Sequence, residues 1–137
     1  MTVQELMNPK VITIEPSASA ALAARLLSRY NVGALPVCTP DRRLRGIVTD
    51  RDIVLRCVAP EEDPAQTPVR DIMSRRCTTI SPQEDCREAS RLMALHQIRR
   101  LPVVEEGKLV ADRQITRTES PTAGQAIWPG TAEEGAQ

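Results

Sequence analysis

The sequence predicts an α/β (α+β) fold of two β-α-β-β-α repeats, and three observations carry the prediction. The stretch Val3–Val37 lies over Val69–Val103 without a gap, every position shifted by 66. Val3, Met7, Thr13, Ile14, Pro16, Ala23, Arg25, Leu26, Leu35, Pro36 and Val37 are each identical to their counterpart. One unit used twice is the reading, each copy too small to bury its own apolar face. Within each copy, short β-branched runs alternate with one apolar stripe at helical spacing. Finally, 137 residues at 41% hydrophobic suffice for one core and fall short of two independent domains.

The elements follow in order. "VITI" (Val11–Ile14) and "CTTI" (Cys77–Ile80) read as short strands, each closed by a following proline. A helix comes next in both copies. In the second, Ser81 suits the N-cap, Pro82 the first helical position and Glu84 a capping box. Cys86, Ala89, Leu92, Met93 and His96 then share one face, matched by Ala20, Ala23, Leu26, Leu27 and Tyr30. His96 is accordingly read as a partly buried packing residue. "ALPVC" and "RLPVV" are apolar strands, and the turns "PDRR" and "EEGK" lead into antiparallel partners "LRGIVT" and "KLVA". After Thr49, Ile53, Val54, Cys57 and Val58 mark one face of a further helix. These readings divide the chain into repeat 1 (residues 1–59), a linker (60–68) with three prolines and three acids, an incomplete repeat 2 (69–110), and an irregular tail (111–137).

Composition narrows the function. Eighteen Lys and Arg balance eighteen Asp and Glu, so no global field steers the chain to nucleic acid or an anionic membrane. Phe is absent, and Tyr30 and Trp128 are the lone large rings, which removes stacking platforms for single strands. Neither nucleic acid nor membrane is an expected partner. No charged leader precedes an apolar run, and no window reaches the roughly 20 apolar residues of a span, so a cytoplasmic protein is expected. Cys38, Cys57, Cys77 and Cys86 lack CxxC or zinc-ligand spacing and read as small buried hydrophobes. No catalytic triad, metal cluster or Gly-rich phosphate loop is present in the sequence. A non-enzyme is expected.

Two tandem copies with "LPV" in the middle strand and "GIVTDRDI" at a strand-to-helix junction resemble a cystathionine β-synthase (CBS) domain pair, or Bateman module. The resemblance implies a pseudo-two-fold α/β sandwich with clefts for adenine nucleotides or adenosyl compounds (AMP, ADP, ATP or S-adenosylmethionine). It also implies a regulatory, signal-transducing role without catalysis, and pairing of modules into homodimers through their helices. The alternative is an unliganded scaffold that dimerises or docks a partner protein.

The junction itself has a physical rationale. A helix starting near Asp50 offers backbone N–H groups and a positive dipole end to a phosphate. Thr49 can donate its hydroxyl, and Asp52 can accept both hydroxyls of a ribose. The same pair could equally be a helix cap worth about 1 kcal/mol. Ile47 would present an apolar wall to a base, with Arg51 inside the loop as a lesser phosphate ligand. Arg99 and Arg100 match basic residues that, in nucleotide-binding relatives, reach phosphates held by the other copy; Gly33 and Ala34 stand at these places in repeat 1.

Repeat 2 breaks off after "KLV". Where glycine, two apolar residues, a hydroxyl, two spacers and Asp are due, the chain reads "ADRQITRTES". The second copy is thus expected to lack its last strand and final helix, leaving one site. A shifted reading frame or fused tail would account for so abrupt a loss.

Overall fold

The computed structural model describes residues 1–7 and 11–114. Two compact units emerge, one spanning Ile12–Cys77, the other joining Met1–Val11 to the chain from Thr78 onward. Unit and repeat are therefore offset: the opening segment of each repeat belongs to the body of the other.

Matched main-chain bonds fix this exchange. In the second unit the short helix α1 (Val3–Leu6) donates Val3 N–H to Glu84 O at 2.8 Å and Gln4 N–H to Pro82 O at 2.9 Å. In the Ile12–Cys77 unit, the 3-10 turn Val69–Asp71 donates Val69 N–H to Ala18 O at 2.7 Å and Arg70 N–H to Pro16 O at 3.0 Å. Each pair sits 66 residues from its twin. Val3 and Val69 are both fully buried, so each segment also brings an apolar anchor.

These bonds correct two expectations. The turn Ser81–Glu84 is closed by Glu84 N–H to Ser81 O at 3.2 Å, and its carbonyls at 82 and 84 go to α1. The helix therefore starts later: α4 is Cys86–His96, capped by Asp85, whose side chain accepts from Arg87 N–H. Likewise "VITI" and "CTTI" are no strands. They contribute single parallel bridges, Ile14 to Val37 and Ile80 to Val103, because the proline two residues on turns the chain away.

In the Ile12–Cys77 unit, α2 (Ala20–Tyr30) is capped by Ser19 and ends at Asn31 in the left-handed region, φ 53°. Gln97 ends α4 the same way at φ 55°. The expected stripes bury Ala20, Ala23 and Leu27, and Ala89 and Met93, but Tyr30 and His96 are exposed. Both are the last residues of their helices, and His96 is no packing residue.

Strands β1 (Ala34–Cys38) and β2 (Leu44–Thr49) form an antiparallel hairpin, with a register shift between Val37 and Cys38. Helix α3 (Asp50–Ile53) continues without a break into a π turn, Val54–Val58. Ile53 and Cys57 face the core. Val54, Leu55 and Val58 do not: they are 54%, 48% and 56% exposed, against the expectation that Val54 and Val58 share the buried face. Val54 and Val58 each follow a buried residue by one position, about 100° round the helix, which takes them off the stripe that Ile53 and Cys57 bury. Arg56 reaches back to the carbonyls of Ile72 and Met73 at 3.3 and 3.4 Å.

In the second unit β3 (Arg100–Glu105) pairs with β4 (Lys108–Gln114), again with a register shift, between Val103 and Val104. Here the expected loss of the last strand is corrected. The run beyond "KLV" keeps pairing to Gln114 opposite Arg100, because the tight turn at Glu106 and Gly107, both at positive φ, sets the register. The expected lack of a final helix, and the tail from residue 115, fall outside the described residues.

Candidate functional site

The corner between β2 and α3 gathers the junction residues. β2 delivers Thr49 in extended conformation, φ −119°, as N-cap of α3. Its Oγ1 accepts Asp52 N–H at 3.0 Å, and Asp52 Oδ2 accepts Thr49 N–H at 2.9 Å. This reciprocal box fixes both side chains while leaving each half-buried. Asp52 retains Oδ1 as an acceptor, and Thr49 retains its hydroxyl hydrogen as a donor. Ile47, two residues back on the same face of β2, is half-buried; its main chain bonds Ser74 in both directions at 2.9 Å. Arg51 is exposed.

One part of the expectation changes. The first amides of α3 are not bare: Asp50 N–H goes to Gly33 O at 3.2 Å, Arg51 N–H to Asp50 Oδ1 at 2.7 Å, and Asp52 N–H to Thr49 Oγ1. Asp50 and Asp52 add two negative charges to the same turn. The corner as built suits hydroxyl groups better than a phosphate, whose charge must be met elsewhere. Gly33 O as the tie for Asp50 could not be read from the sequence, since a backbone acceptor leaves no mark in side-chain pattern.

Arg99 and Arg100 lie in the other unit, Arg99 exposed and Arg100 half-buried at the start of β3. Arg100 holds opposite Gln114 the place that Ala34 holds opposite Thr49. Thus the structure joins Thr49 and Asp52 directly and places Ile47 and Arg51 beside them in one unit, with the two arginines adjacent in the other. Among the described residues no group of three or more His, Cys, Asp or Glu could hold a metal ion. No helix of the described residues is long and apolar enough to cross a membrane.

The cysteines are all free. Cys38 and Cys57 are buried, and Cys77 and Cys86 half-buried. Burial pushes the Cys38 thiol up to about 11 and raises that of Cys77. A raised thiol is a poor nucleophile at neutral pH.

A unit of one bridge, a helix and a hairpin occurs twice, and the first copy adds a helix turn with a hydroxyl and a carboxylate at the hairpin's exit. The family model for the CBS domain matches residues 3–59 and 69–111, and the chain belongs to the CBS-domain family. Its relatives include the CBS domain-containing protein YhcV of Bacillus subtilis, 39% identical over 92% of each chain. That share is too large to end at Gln114, so the similarity runs into the tail. The crystal structure of Hypoxic Response Protein I with two coordinated zinc ions is 31% identical, with a TM-score of 0.74 over 83% of this chain and 93% of that one. CBSX2 in complex with AMP is 27% identical, with a TM-score of 0.72 over 92% and 97%.

Proposed function

We propose that this chain is a non-catalytic regulatory module that senses an adenine nucleotide or adenosyl compound at the β2–α3 corner. The carrying observation is the Thr49–Asp52 box, which presets one carboxylate oxygen and one hydroxyl donor at fixed spacing. A ribose diol needs an acceptor of that kind. Ile47 offers the apolar wall for the base. Because the amides of α3 are engaged, the phosphate or carboxylate of AMP, ADP, ATP or S-adenosylmethionine is assigned to arginines: Arg51 locally, Arg99 and Arg100 from the other repeat. Family membership and the AMP complex of CBSX2 support the reading.

A thermal-shift panel of AMP, ADP, ATP, S-adenosylmethionine and NAD tests it. At 100 times the dissociation constant a bound ligand adds about 2.7 kcal/mol of stability. Asp52→Ala should abolish the shift, while Thr49→Ser, which keeps the hydroxyl and the cap, should retain it. Undiminished binding to Asp52→Ala overturns the ribose role. No shift with any ligand favours the second reading, a scaffold that pairs with its own copy.

One observation favours that second reading: the exposed Val54, Leu55 and Val58 on a single outward helical face. If they hold a homodimer together, Val54→Glu with Val58→Glu yields a monomer by sedimentation at micromolar concentration. An unchanged sedimentation coefficient removes that face from assembly.

A further inference from the structure

The net neutrality of the chain conceals a basic pole. The β1–β2 turn carries Arg42 and Arg43, followed by Arg45 on β2. The bridge between Ile47 and Ser74 then brings Arg75 and Arg76 alongside the same end of β2. All five are exposed. Asp41 is already shared between Thr39 and Arg43, the latter at 3.6 Å, and Glu15 follows the bridge of Ile14 to Val37 on β1. Like charges on neighbouring strands repel and cost stability, so the fold gains nothing from gathering them. Nor does the repeat require them. The matching turn of the other repeat reads Glu105-Glu106-Gly107-Lys108, and Val110 takes the register place of Arg45.

We propose that this pole docks a short, linear acidic segment of a partner protein. The pole begins at Arg45, four residues or about 13 Å along β2 from Thr49, and it does not depend on the ligand reading above. Three observations choose the occupant. Of the exposed large apolar side chains of this unit, Tyr30 closes α2 and Val54, Leu55 and Val58 follow α3, and none lies in the β1–β2 turn or beside Arg75 and Arg76 in the chain, which leaves no wedge there for a bilayer. Among the described residues no ring stands on it for stacking bases. Five exposed guanidinium groups gathered on one turn and the segment bridged to it match a few carboxylates of an extended peptide, which such forks bind in bidentate pairs.

Fluorescence anisotropy with a labelled dodecapeptide of alternating Glu and Asp tests the proposal on the full chain. The peptide should bind at low salt and weaken as screening shortens the reach of the charges. Arg45→Glu with Arg75→Glu should weaken it at least about tenfold. Arg25→Glu with Arg29→Glu, equal in charge but on α2, should leave it unchanged. No binding at low salt overturns the proposal, as does equal loss in both double variants. So does tighter binding of a DNA duplex or of phosphatidylserine vesicles through the same arginines, or salt-sensitive self-association lost in the pole variant alone.

Discussion

Gly46 sits buried on β2 where a Cβ would lie 2.4 Å from the Ser74 carbonyl oxygen and 3.1 Å from the Met73 sulfur. Backbone cannot yield as a flexible side chain can, so Gly46→Ala should destabilise the Ile12–Cys77 unit by about 1–3 kcal/mol, read by urea denaturation. The register gives its twin as Ala111, which is fully buried. The glycine was visible in the sequence as part of the junction motif, but its reason was not, because the chain that crowds it arrives from residue 74. Thr49 and Asp52 were legible as a capping pair, since a hydroxyl and a carboxylate three apart at a strand end fit a reciprocal box. Cys38 is buried on β1. Its thiol is raised by burial from 9.0 to about 11. The folded state thus holds the proton more tightly than the unfolded one, and the resulting stability is complete below pH 9 and lost as pH climbs toward 11. Iodoacetamide at pH 8 should leave Cys38 unlabelled until the protein is denatured; rapid native labelling would contradict its burial.

Helix α4 shows where element boundaries escape a sequence. Ser81, Pro82 and Glu84 satisfy every local rule for a helix start, yet α1 takes the carbonyls of residues 82 and 84, and Asp85 caps instead. Local pattern could not reveal a main chain arriving from Val3. Asp85 is held below the usual carboxylate range by the Arg87 N–H and guanidinium, and Glu88 by the hydrogen bond from Arg91. Depressed carboxylates stabilise above their unfolded pKa, and that contribution disappears as pH falls through the folded value. The start of α4 should therefore fray in acid before α2, whose cap Ser19 does not titrate. Amide exchange near pH 3 would show faster exchange at Arg87–Ala89 than at Ala21–Ala23, and Asp85→Ala should erase the difference between acid and neutral pH. Strands β1, β2 and β3 were legible to within a residue, because "LPV" runs alternate with turn residues. The length of β4 was not, since its last residues lack an apolar alternation and are recruited by the register begun at Lys108.

At the scale of the whole molecule, the repeat was plain from identity at a fixed offset, and the doubled hairpins and helices follow it. The exchange of opening segments could not be inferred, because a gapless alignment is equally compatible with each copy folding on itself. Val3 and Val69 are completely buried in units to which their own repeats do not otherwise belong. Deleting residues 1–7 should then weaken α4 and spare α2, seen as selective loss of exchange protection across Cys86–His96. Protection lost equally from both helices would argue against the assignment. Residues 60–66 are exposed and offer a protease its opening. A nick there would sever every peptide link between the repeats and yet free neither, since each fragment retains a piece its counterpart cannot fold without. The two halves should elute together in native buffer and separate in denaturant, and fragments made apart should regain structure when mixed.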